Sequence, residues 1–244
     1  MPDTVRACLF DLDGVLTKTA LIHAAAWQEM FDAFLRQHAA QARQPFVAFD
    51  PVSDYDRYVD GRPRAQGVKS FLASRGIELP AGSADDSPDA DTIGGLAQRK
   101  NEILQRRIAT DGVHAYPGSV QYVRAVTAAG LARAVVSASA HCREMLAGAA
   151  LDGYFQVVVD GVVAQRDKLA GKPAPDTYLA AARQLGVPPG AAAVFEDAQA
   201  GVAAGKAGGF GWVIGVDRTG QADALREKGA DIVVKDLAEL LDQQ

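Results

Sequence analysis

Acidic side chains follow two separate apolar segments of the sequence, each at the point where a buried strand would end. Asp11 and Asp13 come directly after the segment Val5 to Phe10. Glu196 and Asp197 follow a later apolar segment. Ligands of an open parallel sheet bind beyond the carboxyl ends of its strands, so we expect the two pairs to lie close together. Carboxylates that close repel one another unless a cation lies between them, and an all-oxygen ligand set favours Mg²⁺ over Zn²⁺.

A single pair of the Asp-x-Asp type is more often a turn that caps a helix than a metal site. For Asp11 and Asp13 alone the turn is the better interpretation, since Gly14 permits a tight bend. The second acidic pair, Glu196 and Asp197, reverses this preference. The sequence therefore predicts a magnesium site formed by all four acids.

Two more polar residues are expected at the same edge of the sheet. Lys172 precedes a helix predicted from about Ala174, and Ser137 follows the apolar segment Leu131 to Val136. A lysine there can neutralise a phosphate oxygen and a nucleophilic carboxylate together, as phosphoryl transfer requires, and a serine hydroxyl adds a donor. Considered alone, Lys172 would be a solvated surface residue and Ser137 a local cap.

Short apolar segments that alternate with helix-length stretches predict an α/β fold with a doubly wound, mostly parallel sheet. The predicted strands are Val5 to Phe10, Leu131 to Val136, Phe155 to Val159, Ala191 to Phe195, Trp212 to Val216 and Ile232 to Val234.

The stretch between about residues 20 and 110 has helical patterns without an apolar strand. Apolar residues from Trp27 to Leu35 recur at helical spacing and predict an amphipathic helix from His23 to about Ala42. The composition of Pro80 to Gly95 predicts a loop. We therefore predict two domains, an α/β core of residues 1–19 and 110–244 and an inserted helical domain of residues 20–109.

Composition excludes several classes of partner. A net charge of −5 and no basic cluster argue against nucleic acid. No segment is apolar enough for a membrane span or a secretion signal, so we expect a cytoplasmic protein without a membrane partner. Cys8 and Cys142 are expected to be reduced thiols. The sequence is silent on oligomeric state, with a monomer favoured.

Four ordered segments of the chain resemble the motifs of the haloacid dehalogenase superfamily. They are Asp11-Leu12-Asp13-Gly14-Val15-Leu16-Thr17, Ser137, Lys172-Pro173 and Glu196-Asp197. The resemblance implies a Rossmann-like core with a cap domain inserted after the first strand. It also implies that Asp11 is a nucleophile and Asp13 a general acid and base. Mg²⁺ would bind Asp11, the Asp13 carbonyl oxygen and Asp197, with Glu196 beside it.

More narrowly, the chain resembles the β-phosphoglucomutases. The similar segments are Thr17-x-Thr19-Ala20-x-x-His23, Ala26-Trp27, Gly61-Arg62-Pro63-Arg64, Arg99-Lys100-Asn101, Ser137-Ala138-Ser139 and Glu196-Asp197-x-Gln199-Ala200-Gly201. The resemblance implies substrate-binding roles for Thr19, His23, Trp27, Gly61, Arg62, Arg64, Lys100, Ala138 and Ser139. In particular, Arg64 would bind the distal phosphate of a sugar bisphosphate.

Lys100 can also be interpreted from its position alone. It lies one helical turn after Leu96, on the apolar face of a predicted helix, where a lysine is out of place unless it reaches an anion. The alternative is an aliphatic stem on apolar surface with the ammonium in water. His23, at a helix start, would by itself be a local cap.

The chain also departs from the family pattern. Ala140-His141 stands where the mutases tend to have Lys-Asn, which removes an expected phosphate donor. Lys18 stands between Thr17 and Thr19, where the family often has an acid. Arg62 or His141 could compensate at the distal phosphate site.

The resemblance implies interconversion of β-glucose 1-phosphate and glucose 6-phosphate through a bisphosphate. The alternative is a sugar-phosphate phosphatase that uses the same Asp11 and Asp13 but lets water attack the intermediate. A third hypothesis, a binding domain or a receiver that only accepts phosphate, fits poorly with the long insertion and the complete motif set.

Overall fold

Six parallel strands form one sheet in the computed structural model, which describes residues 4–241. The strands are β1 (Ala7–Phe10), β2 (Ala132–Val136), β3 (Val157–Val159), β4 (Ala192–Glu196), β5 (Trp212–Val216) and β6 (Ile232–Val234). Their order across the sheet is β3-β2-β1-β4-β5-β6. The chain therefore proceeds from β1 to one edge and returns through β4 to the other, which makes the carboxyl ends of β1 and β4 the topological switch point. The predicted doubly wound sheet is confirmed, and each predicted strand is present to within two residues.

Nine α-helices accompany the sheet within residues 4–241. They are α1 (Thr19–Ala42), α2 (Arg64–Ser74), α3 (Ile93–Asp111), α4 (Pro117–Ala128), α5 (Cys142–Gly148), α6 (Gly161–Arg166), α7 (Asp176–Gln184), α8 (Gln199–Ala207) and α9 (Ala222–Glu227). A π-helical turn at Tyr55–Val59 and 3₁₀ turns at Asp152–Tyr154, Pro189–Ala191 and Leu237–Leu240 complete the described elements. None of these helices is both long and apolar enough to cross a membrane.

The central strands are apolar along their whole length because helices cover both faces of the sheet. All four residues of β1 are buried. On one face Leu9 belongs to the same buried cluster as Tyr178 and Val202. On the other, the Phe10 ring stacks on the Phe195 ring with centroids 4.5 Å apart. Packing on both faces of the sheet thus fixes the positions of β1 and β4. The acidic residues lie at the ends of these two strands.

The chain divides into two compact units. Within the described residues, the first contains residues 4–19, Gly61–Pro63 and residues 113–241, and the second contains Ala20–Asp60 and Arg64–Gly112. The second unit packs α1, α2 and α3 with a group of aromatic rings, in which Phe31 and Phe71 lie 4.2 Å apart. The roles of core and cap domain stay predictions.

Two linker segments of the first unit, residues 16–18 and 114–116, run side by side. The backbone N–H of Lys18 donates to the carbonyl of His114 at 2.8 Å, and that of Tyr116 donates to the carbonyl of Leu16 at 3.0 Å. The segment of the first unit that ends at Thr19 thus runs beside the segment that resumes at Val113.

The loop predicted for Pro80 to Gly95 ends three residues earlier than expected, because α3 begins at Ile93. Thr92 caps this helix by accepting a hydrogen bond from the Gly95 N–H at 2.9 Å. A Cβ at Gly94 would lie 2.0 Å from the Ser83 carbonyl oxygen, so the glycine lets the loop pack against the helix. The glycine content of this segment predicted a loop. In the structure Gly94 lies inside α3 and allows the Ser83 carbonyl oxygen to approach the helix closely.

Candidate active site

The loop after β1 is a tight turn that presents the Asp11 carboxyl at the switch point. The Asp11 N–H still donates to the Phe195 carbonyl of β4 at 2.9 Å, which extends the strand pairing by one residue. Gly14 has a φ of +80°, a backbone conformation that glycine adopts without strain. Its N–H donates to the Thr17 carbonyl at 2.8 Å and closes the turn.

Three of the four predicted acids converge at this edge of the sheet. Asp11, Glu196 and Asp197 are buried, and one carboxylate oxygen from each lies within 4.8 Å of the others. The loops after β1 and β4 meet closely, since a Cβ at Gly14 would lie only 1.6 Å from Asp197 Oδ2. Gly14 is therefore required for space as well as for conformation.

Lys172 lies among these acids. Its Nζ donates to Asp11 Oδ1 at 2.5 Å, to the Val136 carbonyl at 3.1 Å and to Glu196 Oε1. Burial alone would lower the Lys172 pKa, but the carboxylates of Asp11 and Glu196 outweigh it, and the pKa is raised. Lys172 is thus a buried ammonium at the carboxyl end of the sheet, and two carboxylates stabilise its charged form.

The Asp11 carboxyl is in an environment that disfavours its charge. Burial raises the pKa of Asp11 well above its ordinary value, the Lys172 ammonium lowers it, and the Glu196 carboxylate raises it again. Without a further positive charge nearby, the ionised form of Asp11 is destabilised.

Glu196 is held by donors other than Lys172 as well. Tyr178 Oη donates to Glu196 Oε1 at 2.9 Å, and the Ala198 N–H donates to Oε2 at 3.0 Å. Burial, followed by the Glu196 charge, raises the Tyr178 pKa, which keeps the phenol protonated as a donor. The geometry indicates that Glu196 fixes the position of Lys172.

Asp13 lies outside the group of three acids identified among residues 4–241. Its Oδ1 accepts a hydrogen bond from Thr19 Oγ1, which is itself 2.6 Å from Thr17 Oγ1. Thr17 Oγ1 donates to the Leu12 carbonyl at 3.2 Å. The two threonines thus hold the Asp13 side chain, whose part in metal binding and in acid and base catalysis stays a prediction.

The segment after β2 forms a chain of side-chain-capped turns. The Ser139 N–H donates to Ser137 Oγ at 3.1 Å, and the His141 N–H donates to Ser139 Oγ at 3.2 Å. Ala138 lies between the two serines. Because each hydroxyl accepts from the backbone in these bonds, its own proton can be donated to another acceptor. The His141 ring lies 3.1 Å from Glu144.

Gly61 and Arg62 belong to the first unit although they are remote in sequence from its other segments. Gly61 has a φ of +67°, and a Cβ there would lie 3.0 Å from the Ala198 Cβ, directly after Asp197. Arg62 is half-buried. The structure thus brings Gly61 to the loop after β4, while the role of Arg62 stays a prediction.

Within the second unit, three predicted residues form a cluster. Lys100 is buried, its Nζ lies 3.0 Å from His23 Nδ1, and it is 5.0 Å from the centroid of the Trp27 ring. The alternative of a solvated Lys100 ammonium is therefore wrong. Arg64 Nη1 donates to the Ala97 carbonyl at 3.3 Å, one turn of α3 before Lys100, and burial lowers the Arg64 pKa.

Comparison with known proteins identifies the family. The profile of the haloacid dehalogenase-like hydrolases matches residues 5–209. The β-phosphoglucomutase of Mycobacterium tuberculosis is 56% identical over 244 residues, which cover 99% of this chain and 93% of that protein. The chain belongs to the haloacid dehalogenase superfamily. Within it, the chain is an enzyme of the β-phosphoglucomutase-like group.

A phosphatase and a solved structure are also similar to this chain over nearly its whole length. The validoxylamine A 7'-phosphate phosphatase of Streptomyces hygroscopicus subsp. limoneus is 29% identical, with 96% of this chain and 95% of that protein covered. The crystal structure of the Clostridium difficile β-phosphoglucomutase has a TM-score of 0.75 at 22% identity, with 97% and 93% of the two chains covered, and shows the common fold.

The carboxylates that converge at the ends of β1 and β4 fit a divalent cation that prefers oxygen ligands. Asp11, Glu196 and Asp197 supply only carboxylate oxygens, and the raised pKa of Asp11 indicates a need for positive charge beside it. Glu196 already accepts from Lys172, Tyr178 and the backbone, which limits the part that this carboxylate can take in binding a cation.

Two contacts of this site were not predicted from the sequence, those of Tyr178 and Gly201 with Glu196. Tyr178 lies in α7 with an apolar burial pattern, so its bond to Glu196 had no local signal. Gly201, in α8, allows Glu196 to approach the helix, since a Cβ there would lie 1.7 Å from Glu196 Oε1. A glycine inside a helix is a signal of close packing that could have been used.

Replacing Gly201 with alanine is expected to lower both activity and stability. Alanine normally favours a helix by about 1 kcal/mol over glycine, but here its methyl group displaces the buried Glu196 carboxylate from Lys172. We expect a loss of about 2 kcal/mol or more, measured by urea unfolding. Gly190→Ala is the matched control, since no atom lies within 4 Å of a Cβ there. Equal stability of the two variants would contradict the packing argument.

Proposed function

We propose that the enzyme is a β-phosphoglucomutase that interconverts β-glucose 1-phosphate and glucose 6-phosphate through a bisphosphate. The observation that carries phosphoryl transfer is the buried Lys172 ammonium, bonded to both Asp11 and Glu196 beside Asp197. The similarity to the mycobacterial β-phosphoglucomutase supports the choice of substrate.

In this mechanism Asp11 is the nucleophile. Its carboxylate attacks the phosphorus of the sugar phosphate and forms an aspartyl phosphate, while the Lys172 ammonium neutralises phosphoryl oxygens and Ser137 donates to them. Asp13, oriented by Thr19, protonates the leaving sugar oxygen and later accepts a proton from the attacking hydroxyl.

A magnesium ion is proposed at the same site. Asp11, Asp197 and the Asp13 carbonyl oxygen would hold it, with Glu196 beside it. When bound, it would stabilise the ionised Asp11 and the charge that develops on the phosphoryl oxygens. The group of three carboxylates and the raised Asp11 pKa support this proposal.

The residues of the second unit are proposed to bind the sugar and its distal phosphate. His23, Trp27 and Lys100 would contact the substrate, with Arg64 on the distal phosphate. A buried ammonium beside an imidazole and an aromatic face is suited to an oxygen-rich anion. From the first unit, Thr19, Gly61, Arg62, Ala138 and Ser139 are proposed as further substrate contacts.

A sugar-phosphate phosphatase is the second candidate, because a phosphatase relative is similar over nearly the whole chain. Both reactions form the same aspartyl phosphate on Asp11. They differ in the acceptor, since a mutase must exclude water until a sugar hydroxyl attacks.

One assay separates the two candidates. The enzyme is incubated with Mg²⁺, β-glucose 1-phosphate and a trace of glucose 1,6-bisphosphate, and both glucose 6-phosphate and inorganic phosphate are measured. Glucose 6-phosphate is the expected product. Inorganic phosphate without glucose 6-phosphate would replace the mutase with the phosphatase.

Arg64→Ala is expected to weaken bisphosphate binding more than binding of a sugar with one phosphate. Loss of a charged donor to phosphate corresponds to a Kd increase on the order of 10- to 100-fold. Calorimetric titration with glucose 1,6-bisphosphate and with β-glucose 1-phosphate measures both values. Arg106→Ala, which removes an exposed arginine of α3 paired with Glu29, is the control. Equal losses for the two ligands would argue against the distal-phosphate role.

A further inference from the structure

A loop after β5 contacts both of the loops that carry the acids. This bracing loop, residues 217–221, places Arg218 Nε 2.9 Å from the Gly14 carbonyl oxygen, to which it donates. Gln221 Nε2 donates to the Asp197 carbonyl at 3.2 Å. Asp217 Oδ1 accepts from the N–H groups of Gly220 and Gln221 at 2.7 and 2.8 Å, which fixes the shape of the bracing loop.

The Arg218 guanidinium is held on several sides. It lies over the Tyr116 ring, 3.7 Å from the centroid. Its Nη1 donates to the Lys235 carbonyl at 2.6 Å and to Asp236 Oδ2 at 3.0 Å. The guanidinium thus contacts the loop after β1 in two ways. It donates directly to the Gly14 carbonyl, and it packs on Tyr116, whose N–H donates to the Leu16 carbonyl.

Through Gly14, the contacts of Arg218 bear on the positions of Asp13 and Asp197. It directly follows Asp13, and its Cα hydrogen faces Asp197 so closely that a Cβ would lie 1.6 Å from Asp197 Oδ2. A shift of the Gly14 peptide therefore moves Asp13 along the chain and presses on Asp197 across the site.

One nitrogen of the Arg218 guanidinium differs from the other two. Its Nη2 is buried and has no hydrogen-bond partner within the described part of the chain. An unpaired buried donor is destabilising, which offsets part of the stability that the other contacts of Arg218 contribute.

We propose that Arg218 is a positioning residue for phosphoryl transfer. By holding the Gly14 carbonyl, it sets the distance between the loops after β1 and β4 and thereby the places of Asp13 and Asp197. This inference rests on the proposed phosphoryl-transfer function, since it assigns Arg218 to the same site.

The test compares Arg218→Met and Arg218→Lys with Arg133→Met. Arg133 is a matched control, since its buried guanidinium also donates to backbone carbonyls, those of Tyr154 and Leu131, but it lies at the start of β2, away from the acids. The kcat and KM are measured with Mg²⁺, β-glucose 1-phosphate and glucose 1,6-bisphosphate. Backbone hydrogen–deuterium exchange is measured for residues 11–17.

For Arg218→Met we expect kcat to fall about 10- to 100-fold with KM changed less than about threefold, because misplacing catalytic groups by about 1 Å has effects of this size. Exchange of residues 11–17 is expected to rise. Arg218→Lys, which retains one donor and the charge, should recover part of the lost kcat. Arg133→Met should lower stability without changing kcat.

A kcat for Arg218→Met equal to that of the wild type, or a fall equal to that of Arg133→Met, would overturn the proposal. If Arg218→Met does not fold, the lysine variant decides in the same way: a lowered kcat at unchanged KM supports the proposal and a wild-type kcat overturns it. Absence of wild-type turnover would be a failure of the proposed function instead. In that case hydrogen–deuterium exchange of residues 11–17 would still test whether Arg218 holds the loop after β1. Exchange in the Arg218 variants equal to that of the wild type would then overturn the proposal.

Discussion

Replacing Asp11 with asparagine is expected to lower turnover by at least about 10⁴-fold, because an amide cannot attack phosphorus as a carboxylate does. Asparagine has nearly the same shape, and its side-chain oxygen can still accept from Lys172 Nζ. The protein should therefore fold, with all of the loss in kcat. Steady-state formation of glucose 6-phosphate measures the loss, and denaturing mass spectrometry measures the phosphoryl group trapped on the wild-type chain.

The control for Asp11→Asn is the same substitution at an exposed aspartate. Asp167 pairs with its neighbour Arg166 on the surface, and Asp167→Asn should retain full turnover. Turnover of Asp11→Asn at the wild-type rate, or a phosphoryl group found on another residue of the wild-type chain, would exclude a covalent mechanism through Asp11.

Replacing Lys172 with methionine is expected to affect activity and stability together. The ammonium is the charge that Asp11 and Glu196 share in the buried site, and its loss leaves two carboxyls that repel each other. We expect turnover to fall about 10³-fold and the free energy of unfolding at pH 7 to fall by about 3–5 kcal/mol. Lys206→Met, which removes an exposed lysine paired with Asp231, should change neither quantity appreciably.

The stability loss in Lys172→Met should depend on pH in a defined direction. Burial already raises the Asp11 pKa above its ordinary 3.8, and Lys172 is the group that lowers it, so the variant raises this pKa further. The folded state then binds more protons than the unfolded state above about pH 4, and its stability falls as the pH rises. The deficit relative to wild type should shrink toward pH 4 in urea unfolding. A deficit that is constant with pH would show that lost packing, and not charge, is the cause.

The sheet and the acidic edge were predictable because both depend on local patterns. Buried parallel strands are nearly continuous apolar runs, and ligand-binding residues follow directly after them. Asp11, Asp197 and Lys172 could therefore be named before any distance was known. The strand assignments and the membership in the haloacid dehalogenase superfamily are confirmed.

Other features depended on contacts that no local pattern encodes. The bonds from Tyr178 to Glu196 and from Arg218 to Gly14 join residues far apart in the chain. The placement of Gly61 next to Ala198 likewise follows from the path of the chain between elements. Long-range hydrogen bonds and close glycine contacts are consequences of packing, which sequence periodicity does not specify.

The paired linkers have an evolutionary consequence. Lys18 and Leu16 on the outgoing segment are bonded to His114 and Tyr116 on the returning one, so both ends of the inserted polypeptide leave from a single place. Apart from Gly61–Pro63, which belong to the first unit, a stretch that starts and finishes there can vary in length while β1 stays paired in the sheet. Under the proposed function, such a junction would let the residues that contact the sugar change while the acids at the edge of the sheet are kept.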